Sequence, residues 1–122
     1  MPTRSRPYEE SQRDGSLIIT TNSFRQLGPQ GVADLIPKAE NQYITVDIDV
    51  MDPSQAPGTG TPETGGLYYS EIRDCLVSLA ERGGLVALDM VEVAPPYDCS
   101  EITVQLAARL IIDVLAARFP SR

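Results

Sequence analysis

The chain has no histidine among its 122 residues. Imidazole metal ligands and imidazole acid–base chemistry are therefore excluded from the chain itself, and a reaction that needs them must find them elsewhere. Cysteine is nearly as scarce. Cys75 and Cys99 are the only two, too few for a disulfide framework and wrongly spaced for a CxxC metal knuckle, so a reduced, cytoplasmic setting is expected. Positive charge is also short: ten Lys and Arg against seventeen Asp and Glu give a formal net charge of −7 and a pI near 4.4. Nucleic-acid and anionic-membrane partners want a basic patch, so neither is expected, whereas metal ions and cationic substrates are compatible. No apolar run reaches membrane-spanning length, and the opening MPTRSRPYEE lacks the apolar centre of a secretion signal. The glycines of GTGTPETGG (58–66) are not followed by Lys-Ser or Lys-Thr, which removes the phosphate-binding P-loop.

What is present reads as one globular domain, with 42% hydrophobic and 22% charged residues. Residues 1–15 are polar without a periodic apolar face and read as an irregular tail. LIIT (17–20) reads as a strand, and GPQGVADLIPKA as a helix carrying Val32, Leu35 and Ile36 and stopped by Pro37. YITVDID (43–49) is a second strand, followed by a Pro/Gly loop over 53–66. Ile72, Cys75, Leu76, Leu79 and Ala80 share one helical face that ends at Gly83-Gly84. LVALDMVEV (85–93) is a third strand. Asp98 with Glu101 predicts a capping box for a long helix, with Leu106, Ala107, Leu110, Ile111, Val114 and Leu115 inward and Gln105, Arg109 and Asp113 as its polar stripe. Strands apolar on both faces alternating with helices predict an α/β fold with a parallel sheet. Such sheets gather their sites at the carboxyl ends of the strands.

Asp47 and Asp49 end one strand and Glu92 ends another. Two carboxylates two residues apart on a strand share a face, and a divalent cation with oxygen ligands, Mg²⁺, Ca²⁺ or Mn²⁺, relieves their repulsion. The plainer alternative is a solvated strand end whose acids cap the loop amides. Asp52-Pro53 is expected only to start a turn. Glu92 falls on the strand face of Leu88 and Met90, and an acid there is either paired structurally or functional. The loop is expected to hold its backbone and the Thr59 and Thr61 hydroxyls close to whatever occupies the strand ends.

The whole stretch TVDIDVMDPSQAPGTGTPETGG (45–66) resembles a signature of the ureohydrolases, the arginase and agmatinase family. Thr45, Val46, Asp47, Ile48, Asp49, Pro53, Pro57, Gly58 and Gly66 meet each position of that pattern. ALDMVEVAPPYD (87–98) is similar to the family's last strand with its substrate glutamate, and EITVQLAARLIIDVL to its closing helix. VAPPYD is closer to agmatinases and related guanidino hydrolases than to arginase itself. The resemblance implies a three-layer α/β/α fold with a mainly parallel sheet. It also implies two Mn²⁺ ions bridged by a hydroxide that attacks a guanidinium carbon and releases urea. Carried onto this chain, Asp47 is the residue expected to bridge both metals, Asp49 to bind one, and Glu92 to hold the guanidinium of a substrate such as agmatine.

The chain also departs from the family pattern. Further metal ligands from a Gly-Gly-Asp-His and an Asp-x-His-x-Asp segment, and a proton-shuttling histidine, lie upstream in the family and have no counterpart here. Residues 16–122 are expected to match the carboxyl-terminal third of the family's domain, with two strands missing between LIIT and YITVDID. A homo-oligomer or a complementing amino-terminal portion is the partner that follows. Two other readings compete. One is a non-catalytic assembly module that keeps the fold. The other is a haloacid-dehalogenase-type phosphatase, suggested by the D-x-D but opposed by the position of Lys38, the only lysine, upstream of it.

Overall fold

A computed structural model describes residues 6–121. The elements run α1 (Arg6–Arg13), α2 (Thr21–Leu35), β1 (Gln42–Asp47), α3 (Tyr69–Glu81), β2 (Leu85–Val91) and α4 (Ile102–Arg118). β1 and β2 pair in parallel, Ile44 opposite Leu88, Val46 opposite Met90 and Asp47 opposite Val91, with α3 as the crossover between them. No helix among the described residues is long and apolar enough to cross a membrane.

The core grows from one face of this pair. Val46, Leu85, Leu88 and Met90 meet Leu76 and Ala80 of α3 and Leu110 and Val114 of α4. Leu110 and Val114 are each 1% exposed, a degree of burial that stabilises by about 1.5–3 kcal/mol per large apolar side chain. A second cluster lies between α2 and α3, with Phe24, Val32 and Ala33 against Cys75 and Leu79. The opposite sheet face is left uncovered by the described residues: Tyr43, Thr45, Ala87 and Val91 are all exposed. The described residues thus make helix-on-sheet layering on one side of a parallel pair, as expected of an incomplete portion of a three-layer α/β/α fold.

Three elements differ from the sequence reading. The lead-in expected to be irregular holds α1, closed where Gly15 turns into the left-handed region (φ 82°) and donates to the Gln12 carbonyl; Met1–Ser5 lie outside the described residues. LIIT pairs with nothing, because among the described residues there is no neighbouring strand to take its backbone groups; β-branched composition does not make a ladder without one. Leu17 is left 57% exposed, while Ile19 packs on the α2–α3 cluster. The helix expected from residue 28 begins at Thr21 instead. The Thr20 hydroxyl accepts from the Ser23 amide, and the helix is broken at Gly28 (φ 74°), after which Pro29 starts the second half.

Arg82 closes α2 from outside, donating to the carbonyls of Ala33, Ile36 and Pro37. Arg25 donates to Glu71 at 3.0 Å and to the Gly66 carbonyl at 2.8 Å, joining α2, the 53–66 loop and the start of α3. Glu71 also accepts from the Tyr68 amide, so Arg25 first, and then that amide, hold its carboxyl below the usual range. α4 departs from its expected pattern at two places. Leu115 is 48% exposed, and Asp113 turns inward to accept from Tyr69 and Arg109 and to pair with Arg73 at 3.4 Å.

Candidate functional site

β1 stops at Asp47, two residues short of the expected end, and Ile48–Val50 form a 3-10 turn. The cause is local. The Asp47 carboxylate accepts the Asp49 amide at 3.1 Å, capping the turn in place of a ladder bond. Asp49 is therefore not on the strand, and strand alternation is not what joins the two acids. They stay close by this capping route, in which only Asp47 caps an amide. Burial chiefly, together with the neighbouring Asp49 side chain, pushes the Asp47 carboxyl above its usual range. Beneath the pair Ile48 (0% exposed), Met51 and Ala56 pack on Ala107 of α4, which fixes the turn to the core.

The loop that follows folds back onto the strand end. Asp52 initiates its turn as expected, accepting from the Ser54 amide and hydroxyl and from the Gly65 amide, and these bonds depress its carboxyl pKa. Leu67 returns beside Met51, its amide donating to the Val50 carbonyl and its carbonyl accepting from Asp52. Gly66 must be glycine there, because a Cβ would sit 2.5 Å from the backbone of Met51 and Asp52. Gly58 is held the same way: a Cβ would meet the Asp98 side chain at 2.7 Å. Its amide donates to the buried Thr103 hydroxyl at 2.8 Å, and its carbonyl accepts from Ala94. Two of the signature glycines are thus close-approach positions.

Glu92 follows β2 directly, and its backbone is left-handed (φ 64°). The strand alternation that would put it with Leu88 and Met90 ends at Val91, and the residue is exposed. Because the strands are parallel and Asp47 lies opposite Val91, Asp47 and Glu92 leave the same edge of the sheet. Asp49 is bound to that edge by the Thr61 hydroxyl, which donates to its carboxylate at 2.8 Å. The Thr59 hydroxyl is buried without a partner among the described residues.

One residue of this region was missed by the sequence reading, and the role of another differs in part. Thr103, fully buried, carries the loop through Gly58; the signal was a polar residue in step with Ala107, Leu110 and Val114. Asp98 was read as half of a capping box, but Glu101 sits at the helix entry in left-handed conformation (φ 59°) and makes no capping bond. Asp98 alone accepts the amides of Cys99, Thr103 and Val104. Burial would raise its carboxyl pKa, but these bonds and the Thr103 hydroxyl outweigh it and lower it.

As ligands, Asp47 and Asp49 offer hard oxygen donors, which fit a divalent cation such as Mn²⁺. The fit is that of a partial shell, since no group of three or more acid or thiol side chains converges among the described residues.

A sequence model of the arginase family matches residues 2–117. The chain belongs to the arginase family. This arginase-family chain is 44% identical over 115 residues to an agmatinase of Bacillus anthracis, covering 92% of itself and 39% of that relative. Its fold superposes on proclavaminate amidinohydrolase from Streptomyces clavuligerus with a TM-score of 0.85 at 37% identity, covering 90% of this chain and 38% of that one. Formimidoylglutamase from Bacillus subtilis gives 0.86 at 28% identity, covering 95% of this chain and 38% of that one. The arginase-like fold is therefore shown, and the phosphatase reading falls with it. The chain spans about two-fifths of the length of the relatives just described.

Proposed function

We propose that this chain carries the carboxyl-terminal part of a ureohydrolase site. That site cleaves the guanidino C–N bond of a linear guanidino compound such as agmatine and releases urea. The observation that carries the proposal is the parallel register that brings Asp47 and Glu92 out of one sheet edge, with Asp49 tied beside them. Asp47 and Asp49 would hold manganese, which when bound supplies a nucleophile from water at neutral pH. Glu92 would accept two N–H groups of the guanidinium, a fork-to-fork match of planar groups that orients the carbon under attack. The folded-back 53–66 loop would wall the edge against bulk water. Agmatine is the favoured substrate because VAPPYD follows Glu92 and because agmatinases are among the similar relatives. Free Cys75 and Cys99 agree with a cytoplasmic setting.

With two carboxylates and no histidine, this chain supplies part of a metal shell and no imidazole for proton transfer. The reading therefore includes a complementing portion, either a second polypeptide or further chain. The purified 122-residue chain should release no urea from agmatine with Mn²⁺ present. Co-expression with the region of a relative that this chain does not cover should restore Mn²⁺-dependent urea release, and Glu92→Gln should abolish it. Turnover by the chain unaided would defeat the proposal of shared ligands and direct attention to Tyr68, Tyr69 or Tyr97 as proton donors. Failure of every such pairing to release urea from any guanidino compound would favour the assembly-module reading.

A further inference from the structure

We infer that Thr61 is a positioning residue for Asp49, its hydroxyl fixing how that carboxylate is presented to a cation; the inference rests on reading Asp47 and Asp49 as cation ligands. The Thr61 Oγ1 donates to Asp49 Oδ2 at 2.8 Å, across twelve residues of chain. Asp49 needs such a partner more than a strand residue would. It sits in the 3-10 turn, where no pleat sets its side chain, and its own amide is already committed to Asp47. Two free torsions would let the carboxylate swing away from the edge or onto its neighbour. A hydroxyl donating to one oxygen holds the carboxylate plane and leaves the other oxygen for a cation.

Thr61 is well supported for this task although its own side chain is exposed. Three residues before it, Gly58 is bonded through its amide to Thr103 of α4 and through its carbonyl to the Ala94 amide. Immediately after it, Pro62 stiffens the chain. The bond between Thr61 and Asp49 therefore refers the carboxylate to α4 and to the segment following Glu92, not merely to its own turn. A simple loop tether is the competing explanation, and it makes a different prediction. A tether would leave metal affinity alone and move stability. A positioning bond should do the reverse, since partners of metal ligands typically alter affinity by about 10–100-fold.

The test is titration of the full chain with Mn²⁺ alone, following the free-ion paramagnetic resonance signal. Wild type, Asp47→Ala, Asp49→Asn, Thr61→Val, Thr61→Ser and the Asp49→Asn/Thr61→Val pair are compared, with urea midpoints measured alongside. Thr61→Val should weaken Mn²⁺ binding about tenfold with its midpoint unchanged. Thr61→Ser should return to within about twofold of wild type, and Thr61→Val should add nothing once Asp49 is Asn. Binding that depends on both acids but ignores Thr61→Val would overturn the positioning role alone. A Thr61→Val loss that persists in the Asp49→Asn background, or that Ser does not rescue, would overturn it too. Absent binding, or binding indifferent to both Asp47→Ala and Asp49→Asn, would overturn the ligand reading and this inference with it.

Discussion

Replacing Thr103 with Val removes a buried hydrogen bond while keeping the side chain's volume. Thr103 is fully buried, so no solvent replaces what is lost. Its hydroxyl accepts the Gly58 amide at 2.8 Å. Stranding a buried amide costs about 1–3 kcal/mol. The added methyl returns up to about 0.8 kcal/mol of burial, while Asp98 keeps the Cys99, Thr103 and Val104 amides. The expected net loss is about 2 kcal/mol. At this chain length that lowers the thermal midpoint by roughly 6–10 °C. Urea titration with circular dichroism measures it, and amide exchange localises it, since Gly58 should lose its protection. Thr103→Ser keeps the bond to Gly58 and should cost only about 1 kcal/mol through the lost methyl. A Val variant within about 0.5 kcal/mol of wild type, with Gly58 still protected, would refute the claim that this hydroxyl holds the loop.

Glu92→Gly should raise the unfolding free energy from urea titration by about 0.5 kcal/mol by relieving left-handed backbone, whereas Glu92→Gln should leave it unchanged; a drop with Gly would mean the side chain contributes stability. Gly84→Ala should cost about 3 kcal/mol, because the residue is left-handed (φ 84°) and a Cβ would sit 2.1 Å from the Ala39 carbonyl oxygen; near-wild-type thermal stability would refute that close approach. The carboxyls of Asp52, Glu71, Asp98 and Asp113 all have folded pKa values below their unfolded ones. Their contribution is complete above the unfolded values near 4 and should be lost as pH falls through the lower folded ones, with Asp47, shifted upward, acting in the opposite sense. Urea midpoints measured from pH 7 to pH 3 should therefore fall below about pH 4.5, and Arg25→Gln should flatten that fall by releasing Glu71.

The sequence was most readable where side-chain period and backbone agree. α3 shows this best: Cys75, Leu76, Leu79 and Ala80 are all buried, as their spacing required. α1 and the first half of α2 were illegible for the opposite reason. Thr21–Leu27 contributes only Phe24 to the buried core, so there was no repeat to detect. LIIT was misread because composition reports propensity but not whether a neighbour exists to accept the ladder bonds. For Asp47, Asp49 and Glu92, the placing of all three at one end of the strand pair was legible, but their backbone geometry was not. A side chain capping its own strand end and a left-handed glutamate are choices of backbone, and neither leaves a periodic trace.

The register of β1 on β2 has a consequence for quality control in the cell. Val46 opposite Met90 and Ile44 opposite Leu88 lie on the core face, while Asp47 stands opposite Val91 at the edge. A slip of one residue would move Asp47 by about 3.3 Å along its neighbour and turn the core residues of one strand outward. A chain with a misaligned site is thus also a chain with exposed apolar side chains, the feature that chaperones and proteases detect. Displacement of the acids and loss of core packing would then be one event, so a slipped copy is marked by its exposed apolar surface alone.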